Sequence, residues 1–149
     1  MELMVCDRNT IERGIVVQGT YVVISIHDTN RPRASVKRQD GLRDVLFLAF
    51  NDAEPSAGVA LSGEVQSMTA AQADQIRNFV RKHEHEVDLI VVHCHSGVSR
   101  SPAVAAAISD ALHLDSRKFW QLYTPNRYVY HTVADAFERA AARGSHGAE

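Results

Sequence analysis

Short apolar blocks alternate with longer amphipathic ones along this chain. Residues 3–6, 21–26, 45–50 and 89–92 are almost wholly apolar, rich in β-branched side chains and bounded by polar or turn-forming residues. Runs of that length and composition predict buried strands. The segments between and after them carry apolar residues at helical spacing. A brief helix is expected over 8–13, capped by Asp7 and ended by Gly14. A second starts at Ser67 or Thr69 and runs to about His83, with Ile76, Phe79 and Val80 on one face. A small-residue helix is expected over 102–112, and a short one from Asp115 or Ser116 through Phe119 and Trp120. A last helix spans about 128–143, with Tyr130, Val133, Phe137 and Ala140 near helical spacing. Trp120 and the nearby tyrosines are expected to pack these helices together. The polar residues 144–149 read as a disordered tail. Strands alternating with helices imply an α/β fold, a mainly parallel sheet covered on both faces.

Composition narrows the class without choosing a function. With 149 residues, 45% hydrophobic and 23% charged, the chain reads as a single domain over 1–143. About two-thirds of its unfolded surface would be buried. A net charge of −2 supplies no broad basic face, so nucleic acid is not an expected partner. Two cysteines, Cys6 and Cys94, make no disulfide framework and suit a reducing cytoplasm. The opening apolar stretch is too short for a secretion signal, and no apolar run approaches the ~18 residues of a membrane span. A cytoplasmic monomer away from membranes is the expectation.

The chemistry is concentrated where the 89–92 strand meets the 102–112 helix. The connecting residues are His93, Cys94, His95, Ser96, Gly97, Val98, Ser99, Arg100 and Ser101, followed by Pro102. A strand that stops at a cysteine and turns into a helix N-terminus presents backbone N–H groups suited to a dianion. Only the thiolate form of a cysteine is strongly nucleophilic, and helix amides and a guanidinium both favour it. The planar fork of Arg100 matches two phosphoryl oxygens, which a lysine does not. Gly97 permits a positive φ or a close backbone approach.

The string His93-Cys94-x5-Arg100-Ser101 resembles the phosphate-binding loop of the cysteine-dependent protein tyrosine and dual-specificity phosphatases, closest to the dual-specificity branch and its small bacterial relatives. The resemblance implies a phosphotyrosine-phosphatase-like fold and a metal- and cofactor-free hydrolysis of phosphomonoesters through a phosphocysteine. It makes Cys94 the nucleophile and Arg100 the phosphate clamp. Ser101 becomes the hydroxyl that assists the departing thiolate, and His93 the residue that orders loop and thiol. Residues 95–100 would bind the substrate phosphate, with phosphate, vanadate or sulfate as stand-in ligands. The implied substrate is a phosphotyrosine protein or peptide, with phosphoserine and phosphothreonine left open. Pro125-Asn126 resembles a pair that the dual-specificity enzymes carry after their catalytic helix, but Arg127-Tyr128 replace the usual Gly-Phe. That match bears on the fold more than on a role.

Such a reaction needs an acid to protonate the leaving oxygen. Asp52 follows a strand and resembles the family's loop aspartate, although it lies further upstream of the cysteine than is usual. Asp28, also after a strand, is the second candidate and Glu54 the third; each can instead cap a turn. The bases Arg31, Arg33, Lys37 and Arg38, in the loop 28–41, read as a solvated segment or a substrate clamp. Arg127 either touches substrate or caps its helix, and His95 adjusts the pocket rim. His93 and His95 point to opposite faces of an extended chain, and His83 and His85 diverge on a helix, so neither pair chelates a metal well. Cys6 reads as a core residue, with a redox partnership to Cys94 as the alternative. Three other functions use the same loop. One is hydrolysis of a non-protein phosphomonoester such as an inositol phosphate, although 95–99 lacks the lysines common there. Another is an inactive phosphate-binding module, although nucleophile and arginine are both present. The third is sulfur transfer or arsenate reduction, for which Cys6 would be the sole resolving cysteine.

Overall fold

The computed structural model describes residues 1–55 and 65–147. Strands β1 (Glu2–Cys6), β2 (Tyr21–His27), β3 (Leu42–Ala49) and β4 (Leu89–His93) form one sheet in the order β1-β4-β2-β3. Every pairing is parallel. The helices are α1 (Arg8–Arg13), α2 (Ala70–His83), α3 (Arg100–Ala111), α4 (Arg117–Leu122) and α5 (Arg127–Gly147). β4 sits between β1 and β2 and is buried along its whole length. That position explains its unbroken apolar run, because both of its faces are covered.

The two faces are covered unequally. Val22, Ile24, Ile26, Ile90 and Val92 join Ile76 and Val80 of α2, Val104 and Ile108 of α3, and Val129 and Val133 of α5 in the main core. On the other face, Tyr21, Val23, Leu89 and Val91 join Ile11 of α1, Ile15 and Ala34 in a smaller cluster, with Val17 and Val36 packed alongside. The loop 28–41 is therefore a cover for the sheet rather than a solvated excursion. Arg33 stacks over the Phe47 ring at 4.3 Å, and Lys37 Nζ donates to the Arg13 carbonyl at 3.4 Å. Arg8 fixes the same loop by donating to the carbonyls of Pro32 and Arg33 at 2.9 and 3.1 Å.

Local signals set most boundaries. Asp7 caps α1 by accepting from the Thr10 N–H at 2.8 Å, and Gly14 ends that helix at φ 109°. Of the two candidate caps for α2, Thr69 is used, in a capping box with Gln72. β3 starts at Leu42, earlier than its apolar run, because Arg43 and Asp44 extend an edge strand that needs burial on one face only. α5 continues to Gly147 instead of ending near Arg143, so the segment expected as a tail is helical as far as it is described; residues 148 and 149 lie outside the described residues. Trp120 of α4 meets Tyr130 of α5 edge to face at 5.1 Å. Among the described residues, no helix is long and apolar enough to cross a membrane.

Candidate active site

In a parallel sheet all strands end at one edge, and ligands bind outside those carboxyl ends. Here that edge gathers Cys6 and Asp7 from β1, His27 and Asp28 from β2, Phe50 to Asp52 after β3, and His93 and Cys94 from β4. The loop from Cys94 to Ser99 then turns into α3. α3 begins at Arg100, so Pro102 falls in its first turn, where no amide hydrogen is required.

The thiol of Cys94 is buried. The Gly97 N–H donates to Sγ at 3.2 Å, and Ser101 Oγ lies 3.2 Å from Sγ. Gly97 has a φ of 74°, and a Cβ there would sit 2.9 Å from the carbonyl carbon and oxygen of Cys6. Glycine thus lets the loop lie directly on the end of β1. Two further ties hold the loop: the Arg8 N–H donates to the His95 carbonyl and the Thr124 N–H to the Val98 carbonyl, each at 3.1 Å. The side chains of His95, Ser96 and Val98 are exposed at the rim.

His93 is fully buried and lies beneath the loop. Its Nδ1 is 3.2 Å from the Cys94 carbonyl and its Nε2 is 2.6 Å from Ser25 Oγ. A carbonyl only accepts, so Nδ1 carries the proton, and Nε2 accepts from the Ser25 hydroxyl. Burial above all brings the imidazole down to about 4; the Cys94 carbonyl opposes this and the charge of Arg8 adds to it. His93 is thereby tied to the backbone of the residue that opens the loop.

Arg100 is 5% exposed. Its Nη1 donates to Asp28 Oδ1 at 2.8 Å and to the Phe50 carbonyl at 2.7 Å. Asp28 also lies 3.7 Å from Arg31. Of the acid candidates, Asp28 is therefore engaged with the guanidinium. Glu54 accepts the Arg127 N–H at 2.7 Å and so caps the start of α5. Asp52 is exposed, and its Oδ1 accepts from Ser99 Oγ at 2.9 Å and from Asn126 Nδ2 at 2.8 Å. Asn126, which the sequence reading tied through the Pro125-Asn126 pair to the fold more than to a role, is brought against Asp52.

Cys6 is half-buried and is separated from Cys94 by the sheet. Cys6 pairs in register with His93 and packs with the α1-side cluster, whereas Cys94 belongs to the main core. Burial, then the charges of Asp7 and Cys94, push the Cys6 thiol up to about 12. Such a thiol is a poor attacking group, which weakens the redox and arsenate readings. His27 Nδ1 is buried without a hydrogen-bond partner among the described residues. Burial lowers the pKa of that ring, with Arg33 and Arg8 adding to the effect. No group of three or more His, Cys, Asp or Glu positioned to hold a metal occurs among the described residues. A cavity of about 710 Å³ lies at the opposite strand ends, bordered by Glu2, Val16, Lys118 and Leu122, and takes no part in this site.

No protein-family model matches the chain, and no curated protein matches it. Solved structures do. The human tyrosine phosphatase-like serine/threonine/tyrosine-interacting protein superposes with a TM-score of 0.50 at 19% identity, over 83% of this chain and 80% of that one. PTPMT1 in complex with PI(5)P superposes with a TM-score of 0.50 at 15% identity, over 85% and 81%. With its wholly parallel four-stranded sheet and its cysteine loop between β4 and α3, the chain has the α/β fold of the tyrosine and dual-specificity phosphatases.

Proposed function

We propose that the protein is a metal-independent phosphatase that hydrolyses phosphotyrosine esters through a phosphocysteine at Cys94. The observation that carries this reading is the buried Cys94 sulfur between the Gly97 amide and the Ser101 hydroxyl, on a loop that ends in the buried Arg100. Arg100 spends Nη1 on Asp28 and Phe50, which fixes the plane of the guanidinium. Nε and Nη2 then offer a fork to two phosphoryl oxygens. The sulfur electron pair forms the S–P bond as the ester P–O bond breaks, and Asp52 gives its proton to the leaving oxygen. Water then attacks phosphorus and loses a proton to Asp52. The S–P bond breaks, its electron pair returns to sulfur beside the Ser101 hydroxyl, and phosphate departs. A positioned acid contributes roughly 100- to 10,000-fold.

A non-protein phosphomonoester is the second reading, favoured by the PI(5)P held by one protein of similar fold. The absence of lysine from residues 95–99 speaks against it. The test is hydrolysis of p-nitrophenyl phosphate in the presence of chelator, followed by a phosphotyrosine peptide against PI(5)P. Cys94→Ser is expected to abolish turnover, and Asp52→Ala to lower it and flatten the basic limb of the pH profile. Full activity in Cys94→Ser removes the reading. Faster turnover of PI(5)P than of the peptide moves the substrate class.

A further inference from the structure

We infer that Asn126, together with Ser99, is the positioning device that aims the Asp52 proton, fixing Oδ2 as the oxygen that delivers it. This rests on the reading of Asp52 as the acid. Asn126 is buried, and its backbone N–H and side chain together make four hydrogen bonds. Its backbone N–H donates to the Ser99 carbonyl at 3.1 Å. Its Oδ1 accepts the Val129 N–H at 3.0 Å. Its Nδ2 donates to Asp52 Oδ1 at 2.8 Å and to the Ala53 carbonyl at 3.0 Å. The amide orientation is forced, because the reverse one would set its oxygen against a carboxylate and a carbonyl and its NH2 against an N–H.

Ser99 supplies the independent half. It stands at the N-cap of α3, where a serine hydroxyl ordinarily accepts from an amide of the first turn, yet it makes no such bond. The third residue of that helix is Pro102, which has no N–H to give. The hydroxyl turns outward and donates to Asp52 Oδ1 at 2.9 Å. Both donors thus converge on one carboxyl oxygen. A carboxylic acid whose Oδ1 accepts two hydrogen bonds carries its proton on Oδ2. Because Asn126 also grips the Ser99 carbonyl, one residue beyond which is Arg100, the acid is registered against the arm that would hold the phosphate.

The readout is sensitivity to the leaving group, since an acid matters most when the departing oxygen is basic. Rates on phenyl phosphate and on dinitrophenyl phosphate, a far better leaving group, are compared for wild type, Asp52→Asn, Asn126→Asp and Ser99→Ala. Asn126→Asp keeps the acceptor for the Val129 N–H but loses the donors to Asp52 and Ala53; Ser99→Ala leaves the α5 cap intact. A misplacement of about 1 Å costs roughly 100-fold. Each positioning variant is therefore expected to lose about 10- to 100-fold more kcat on phenyl phosphate than on the dinitrophenyl ester. Ser99→Thr, which retains the hydroxyl, is expected to recover most of the loss. If Asp52→Asn shows the selective loss and neither positioning variant does, the inference is overturned while the phosphatase reading stands. If Asp52→Asn loses both esters equally while Cys94→Ser is inactive, the acid lies elsewhere and the inference falls with it. Activity in Cys94→Ser removes both.

Discussion

The buried imidazole beneath the Cys94 loop makes stability depend on pH in a defined window. His93 is held neutral by burial, at about 4 instead of 6.5. Below pH 6.5 the unfolded chain takes up a proton that the folded chain refuses until about pH 4. The contribution is therefore fully present above 6.5 and is lost as pH falls toward 4. A drop of that size corresponds to about 3 kcal/mol, a large share of the stability of a domain this size. The slope it adds approaches about 1.4 kcal/mol per pH unit within the window. Urea unfolding across that range is to be compared with His93→Asn, whose side-chain NH2 falls near the Nδ1 position and can still donate to the Cys94 carbonyl. The variant will be weaker at neutral pH, because it leaves a gap and a less well-matched partner for Ser25. Carboxylates titrate in both proteins, so the difference between the two curves isolates the histidine. Parallel curves would refute the assignment of a neutral, desolvated imidazole. A wild-type protein that gains stability on acidification would do so more directly.

Three other substitutions probe the loop. Gly97→Ala forces an L-residue into positive φ, costing about 1–2 kcal/mol, and sets its Cβ against the Cys6 backbone. An overpacking cost of about 1–3 kcal/mol should bring the loss in urea unfolding to about 2–5 kcal/mol, with hydrolysis impaired; an unchanged midpoint contradicts the seat of the loop on β1. Asp28→Ala leaves the Phe50 carbonyl as the one hydrogen-bond partner of the Arg100 guanidinium among the described residues. Loss of one charge-assisted bond, about 1.5–3 kcal/mol, predicts a 10- to 100-fold weaker inhibition by vanadate, read by competition. An unchanged inhibition constant would show that Asp28 does not orient the guanidinium. Ser101→Ala removes the hydroxyl beside the sulfur that, in the proposed mechanism, leaves in the second step. A burst of p-nitrophenol is expected before slow turnover, and its absence would place Ser101 outside that step.

What could be read from the sequence was what local physics decides. The four apolar blocks became strands, Asp7 and Thr69 became caps, and Gly14 ended its helix, since each outcome depends on neighbours a few residues away. The strand order was not legible, because β1-β4-β2-β3 depends on pairings between distant segments. The cover provided by residues 28–41 was hidden for a related reason. Its arginines and lysine look solvated in sequence, whereas in the fold Arg33 lies on Phe47 and Ala34 is buried.

The aspartates show where such reading stops. Asp28 and Asp52 each follow a strand, and only the resemblance to the family's loop aspartate ranks Asp52 first. Their surroundings are set by residues 72, 47 and 74 positions away, namely Arg100 for Asp28, and Ser99 and Asn126 for Asp52. Asn126 carries half of that information in the open. Before a helix, Asn, Asp and Ser cap about equally well, so capping alone does not select Asn. Only Asn combines an acceptor for the Val129 N–H with two amide donors, and both donors are used, on Asp52 and on Ala53. An aspartate there would cap the helix and repel the Asp52 carboxylate; a serine has only one hydrogen to give, and from a shorter side chain. The identity of this cap is thus fixed by the loop it faces rather than by the helix it starts.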